Sequence, residues 1–132
     1  AGARLLLVPS CTDRVSGYSR VRIGAMARAL ENTVAVVQSP TVGAAAWSPA
    51  VDDNSGAAGI YVPAEAGVSE TGVLVEGPFD KPHLVIGEID FAKLERLKTK
   101  GEMHNAADWA LQPGLAAKSS RAKARAAIVD LT

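Results

Sequence analysis

The sequence is poor in the residues that most often carry chemistry. It has one cysteine, two histidines and few aromatics, 5% of 132 residues. A single cysteine excludes an internal disulfide and suits a reducing compartment such as the cytoplasm. His83 and His104 lie far apart in the chain, and neither shares a helix face with a Cys, Asp or Glu at ligand spacing. No metal site is therefore expected. Neither sign of charge is in excess, with 14 Lys and Arg against 14 Asp and Glu. That balance gives no electrostatic reason to expect nucleic acid or an acidic membrane as a partner. No apolar run reaches transmembrane length, and the start lacks the basic, apolar and small-residue order of a signal peptide. There is no Gly-Lys-Ser/Thr phosphate loop, no strand-following Gly-x-Gly-x-x-Gly and no Gly-x-Ser-x-Gly. No cofactor is expected.

What is present is a core-forming chain, 48% hydrophobic and rich in alanine and glycine. Such a core packs its elements closely through small side chains. The length fits one domain or part of one. The chain opens almost directly on a buried-type strand, whereas native termini are usually loose and polar. The expectation is a part of a longer protein.

The chain is organised around Ala27-Arg28-Ala29-Leu30-Glu31-Asn32 and the two apolar runs that flank them. Residues 4–9 read as a strand with both faces covered, because Leu5, Leu6, Leu7 and Val8 are consecutive. Pro9 is expected to end it. A polar loop over 10–17 follows, at the kind of strand end where open α/β sheets collect ligands, or else as a plain connector. The spacing predicts a helix from Ser19, as N-cap, to Glu31, burying Ile23, Ala27 and Leu30 with Met26 beside them. Gly24 in its middle calls for a compensating close approach of another backbone. Arg20, Arg22 and Arg28 mark a solvated face, a subunit contact or an anion site. Asn32 suits the left-handed turn that reverses the chain into the run from Val34. Strand, helix and strand make a right-handed parallel crossover.

Residues 41–58 lack periodicity and read as a long loop, whose Trp47 caps a pocket or an interface or packs locally. Residues 59–63 and 72–76 read as two antiparallel strands, and 84–89 as a further strand. Asp90 caps a helix from Phe91 to about Lys100, with Phe91, Leu94 and Leu97 on its apolar side and Gly101 as its stop. The sum is an α+β fold: a mixed sheet with helices on one face, one β-α-β unit and then antiparallel strands. Residues 1–112 form the domain and 113–132 a C-terminal tail, a short helix or a strand. Cys11 would be a nucleophile only if its thiolate were favoured by a neighbour; otherwise it is a pocket-wall residue or a small inert hydrophobe.

Several segments, in order, carry a resemblance. Arg4-Leu5-Leu6-Leu7-Val8-Pro9-Ser10, Arg28-Ala29-Leu30-Glu31-Asn32, the stretch from Ser55 to Pro63, Ile86-Gly87-Glu88-Ile89-Asp90 and Lys100 to Asp108 together resemble the C-terminal half of the carbon-nitrogen hydrolase (nitrilase and aliphatic amidase) superfamily. The resemblance implies half of a four-layer α-β-β-α sandwich, whose sheet presents an apolar face to the N-terminal half of the same protein. It implies a homo-oligomer, with the tail packing at a subunit interface, and a small amide or nitrile as substrate. The family's Glu, Lys and Cys would all lie upstream of residue 1, so no catalytic residue is assigned here. The family's nucleophile is followed by an aromatic and an acidic residue, whereas Thr12, Asp13 and Arg14 follow Cys11. Ser10, Cys11 and Thr12 are expected to line the acyl or leaving-group pocket, and Arg28, Glu31 and Asn32 to form a structural motif, with Glu31 stabilising the fold rather than acting as base. A rival reading is a stand-alone, non-catalytic α+β interaction or oligomerisation module. A third is a small ligand-binding β-α-β domain using the 10–17 loop.

Overall fold

The computed structural model describes residues 2–108, so the tail at 113–132 lies outside the described residues. Two six-residue apolar runs form β1 (Leu5–Ser10) and β2 (Ala35–Pro40), joined by α1 (Val15–Asn32). They pair in parallel, from Leu5 opposite Ala35 to Ser10 opposite Pro40. β3 (Gly59–Tyr61) then pairs antiparallel with β2, and β4 (Val73–Glu76) antiparallel with β3. The order β1-β2-β3-β4 gives a mixed four-stranded sheet and an α+β fold, as expected. α2 (Phe91–Lys100) and the single turn α3 (Asn105–Asp108) follow. Pro9 does not end β1 but lies inside it. β1 is an edge strand, where a missing N–H costs no ladder bond.

α1 lies across the sheet on Leu6, Val8, Val36 and Tyr61. The side chains it buries are Tyr18, Ala25 and Ala29, not the Ile23, Ala27 and Leu30 stripe that the spacing predicts. A helix this close to a sheet needs its smallest side chains at the contact, so the alanines take the inner face and Met26 packs at its flank. Ile23 is 65% exposed. The helix also begins four residues earlier than expected, at Val15, with Arg14 rather than Ser19 as a cap that makes no side-chain bond. It is Thr33, not Asn32, that takes the left-handed conformation, at φ 52°. Asn32 instead donates from Nδ2 to the Arg28 carbonyl at 3.1 Å. Gly24 has no close approach to compensate it among the described residues: none of them lies within 4 Å of where its Cβ would stand. In an exposed helix a glycine costs about 1 kcal/mol relative to alanine.

Only one face of β1 is covered, contrary to the expectation from its run of leucines. Leu6 and Val8 pack under α1, while Leu7 is 71% exposed and Leu5 is also exposed. Residues 84–89 make no strand pairing among the described residues. They run extended against the side of the sheet that carries Ile60 and Val75, and a Cβ on Gly87 would stand 2.9 Å from Val75 Cγ1 and 3.0 Å from Ile60 Cδ1. Leu84 and Ile86 alternate with the inward Val85 and Gly87, and both are strongly exposed. Leu5 and Leu7 on β1 are thus exposed on the side of the sheet opposite α1, and Leu84 and Ile86 are exposed on the 84–89 segment.

α2 is bounded as expected. Asp90 Oδ1 accepts from the Lys93 amide at 2.9 Å, and the Gly101 amide donates to the Leu97 carbonyl at 2.8 Å. Leu94 joins Ala35 and Val62 in a second buried cluster, with Phe91 and Leu97 at its margin.

Candidate functional site

The ends of β1 and β2 bring together the loop from Ser10 and the ribbon 41–55. This ribbon is the expected long loop, but it is ordered by its own backbone: the Gly43 amide donates to the Asn54 carbonyl at 2.9 Å, and that of Ala45 to the Asp52 carbonyl at 2.8 Å. Trp47 stands near its tip and is 85% exposed, so it packs against nothing among the described residues. Asn54, buried at the ribbon's root, is the hub. Its Oδ1 accepts from Cys11 Sγ at 2.9 Å and from Thr41 Oγ1 at 2.7 Å. Its Nδ2 donates to the carbonyls of Gly43 and Val51 at 3.2 and 2.8 Å.

The three residues expected to line a pocket have different surroundings. Cys11 is exposed. Thr12 is half-buried, donates from Oγ1 to the Ser55 carbonyl at 3.0 Å, and its carbonyl accepts from the Ser55 amide at 2.7 Å. Ser10 turns inward, and its Oγ is buried without a hydrogen-bond partner among the described residues. Nearby on the same side of the sheet, Gln38 is fully buried and neither of its amide atoms has a partner among the described residues. Cys11 is thus the one of the three with an open side chain. The structural motif sits outside this loop: Arg28 and Glu31 pair with each other on the exposed side of α1.

A second polar cluster ties α1 to the far strands. Glu76 Oε1 accepts from the hydroxyls of Tyr18 and Tyr61, each at 3.0 Å, and from Arg22 Nε at 2.6 Å; Oε2 accepts from Arg22 Nη2 at 3.2 Å. The Arg22 guanidinium, aided by the two hydroxyls, holds the Glu76 carboxyl below the usual carboxylate range. Burial, with Tyr18 and Glu76 next to it, pushes the Tyr61 phenol far up, and burial does the same to Tyr18 to a lesser degree. The group is a fixed anchor for the first turns of α1, and so for the loop that precedes them. Gly17 in that first turn stands so close to Thr12 that a Cβ there would meet Thr12 Cβ at 3.0 Å. Neither Asn54 nor the Glu76 cluster is legible in the sequence. Both unite residues from remote segments, and no spacing signals them.

A cavity of about 120 Å³ lies elsewhere, beside the start of α2, with Val62, Leu74, Asp90, Lys93 and Leu94 among its walls. It contains no thiol or hydroxyl. No helix among the described residues is long and apolar enough to cross a membrane.

No family model matches the chain, and no solved structure matches it. Among curated proteins, it is 32% identical over 107 residues to the probable hydrolase YhcX of Bacillus subtilis. The match covers 81% of this chain and 21% of that protein, so the chain spans about a fifth of its relative's length.

Proposed function

We propose that this chain is the C-terminal portion of a cytoplasmic carbon-nitrogen hydrolase acting on amides, or on nitriles. The observation that carries the reading is the match to a protein named a probable hydrolase over most of this chain. The exposure of Leu5 and Leu7 on the side of the sheet away from α1 supports it, because a half-sandwich needs open apolar side chains there to meet its other half.

In this reading the upstream half supplies a Cys, a Glu and a Lys. The Cys thiolate attacks the amide carbon, and the Lys stabilises the negative charge on the oxygen of the tetrahedral intermediate. The C–N bond breaks, the nitrogen leaves as ammonia or an amine after taking a proton, and an acyl thioester remains. The Glu then activates water, which releases the acid and restores the thiol. The part of this chain is to close the second layer and to present Cys11, with Ser10 and Thr12 beside it, at the rim of the pocket. The test is ammonia release by the full-length protein from a panel of amides and nitriles. Release with formation of the matching acid supports the reading, and no release from any of them contradicts it.

A further inference from the structure

We propose that Tyr18 is a positioning residue for the rim that carries Cys11. Its hydroxyl, held by Glu76, sets the first turn of α1, and that turn sets the loop from Ser10 to Arg14. Tyr18 is 6% exposed and is held along its whole length. Its hydroxyl donates to Glu76 Oε1 at 3.0 Å, and its ring lies 5.3 Å, centroid to centroid, from that of Phe79. A Cβ on Gly56 would stand 3.3 Å from Tyr18 Cδ2, so the ring is in close contact with the root of the ribbon. Gly56 is itself clamped: its amide donates to Asp80 Oδ1 and its carbonyl accepts from the Asp80 amide, both at 2.8 Å. The ring therefore has little room to turn away.

Two contacts carry that placement to the loop. The Tyr18 amide donates to the Arg14 carbonyl at 3.0 Å, where the loop enters the helix. Gly17, next to Tyr18, packs on Thr12: a Cβ there would stand 3.0 Å from Thr12 Cβ and 3.2 Å from its Cγ2. Thr12 is bonded in turn to Ser55 through both its hydroxyl and its carbonyl, and Cys11 Sγ donates to Asn54 Oδ1 at 2.9 Å. A shift of the first turn thus moves Thr12, and with it the bond that holds the thiol. Tyr61 gives the contrast. Its hydroxyl reaches the same Glu76 oxygen, also at 3.0 Å, but from β3, which β2 separates from the strand that feeds the loop. Loss of either hydroxyl removes one bond to one oxygen, and only Tyr18 is built into the turn beside Thr12. The consequence for amide hydrolysis rests on the hydrolase reading, whereas the placing of the loop does not.

The test compares Tyr18→Phe with Tyr61→Phe in the full-length protein. It reads the rate at which iodoacetamide labels the Cys11 peptide, by mass spectrometry, and KM and kcat on amides. Labelling in Tyr18→Phe is expected to be about three- to tenfold faster than in the wild type, the scale of one lost hydrogen bond. KM rises by a similar factor with kcat within about twofold, because a displaced rim weakens the binding of substrate and transition state alike. Tyr61→Phe keeps labelling, KM and kcat within about twofold of the wild type, although it loses the same kind of bond. Labelling that is unchanged in Tyr18→Phe overturns the proposal. So does an equal effect in both variants, the mark of a cluster that only holds the fold together. Faster labelling with an unchanged KM overturns the link to the amide site. If no amide is turned over, the hydrolase reading fails, and labelling alone decides whether Tyr18 places the loop.

Discussion

The hydroxyl of Tyr61, on the third strand of the sheet, donates to Glu76 Oε1 on the fourth at 3.0 Å, and the hydroxyl of Tyr18 reaches the same oxygen from the helix at the same distance. One carboxylate oxygen thus fixes a helix, an inner strand and an edge strand to each other, with Arg22 supplying the countercharge.

That arrangement makes stability depend on acid. The folded carboxyl of Glu76 sits below its ordinary range, so its contribution is complete above the unfolded value, about 4.3, and is lost as pH falls through the folded one. Glu76→Gln should lower the stability of the full-length protein at neutral pH by about 1–3 kcal/mol. It should also flatten the fall in stability below about pH 4.3. Urea unfolding at a series of pH values checks both. An unchanged acid limb in the variant would show that the carboxylate is not the group responsible.

Gln38 gives the opposite sign. Its amide is fully buried with no partner on either atom among the described residues, so folding strips it of water without replacement there. Gln38→Met keeps the volume and removes both polar atoms, and it should stabilise the protein by up to about 2 kcal/mol. Thermal unfolding reads the shift. A loss of more than about 1 kcal/mol would show that the amide has a partner in solution.

Gly101 closes α2 for a steric reason. Its φ of −73° is open to any residue, but a Cβ there would stand 2.5 Å from Glu65 Oε1 and 2.7 Å from the Leu97 carbonyl. The buried Glu65 carboxylate accepts from the Glu102 amide at 2.6 Å, so it cannot retreat freely. Gly101→Ala should cost about 1–3 kcal/mol, and hydrogen exchange should show the loss concentrated in the last turn of α2. A neutral effect there would mean that Glu65 moves aside without loss.

The sequence foretells those features whose cause is local. The two apolar runs around one helix length predict the parallel unit, and Asp90 and Gly101 bound α2 correctly. Which face of β1 is covered is not local: consecutive leucines read as buried on both sides, and only the fold shows that Leu7 is open. Nor does residue spacing alone phase α1, because alanine scores as a weak core residue until a sheet approaches close enough to require it. Residues 84–89 have strand composition but no ladder partner. At the candidate site, Cys11 and Thr12 could be picked out by their place after a strand. Asn54 lies 43 positions from Cys11, and Glu76 lies 58 from Tyr18, so only the folded chain unites them.

The most direct measurement is ammonia release by the full-length protein carrying Cys11→Ser, before and after treatment with iodoacetamide. If this chain completes a carbon-nitrogen hydrolase whose nucleophile lies upstream, the variant still releases ammonia and the matching acid from amides, and alkylation abolishes it. Loss of all release in the variant would make Cys11 itself the nucleophile. Release that survives alkylation, or none from any amide or nitrile with the wild-type protein, would contradict the thioester account.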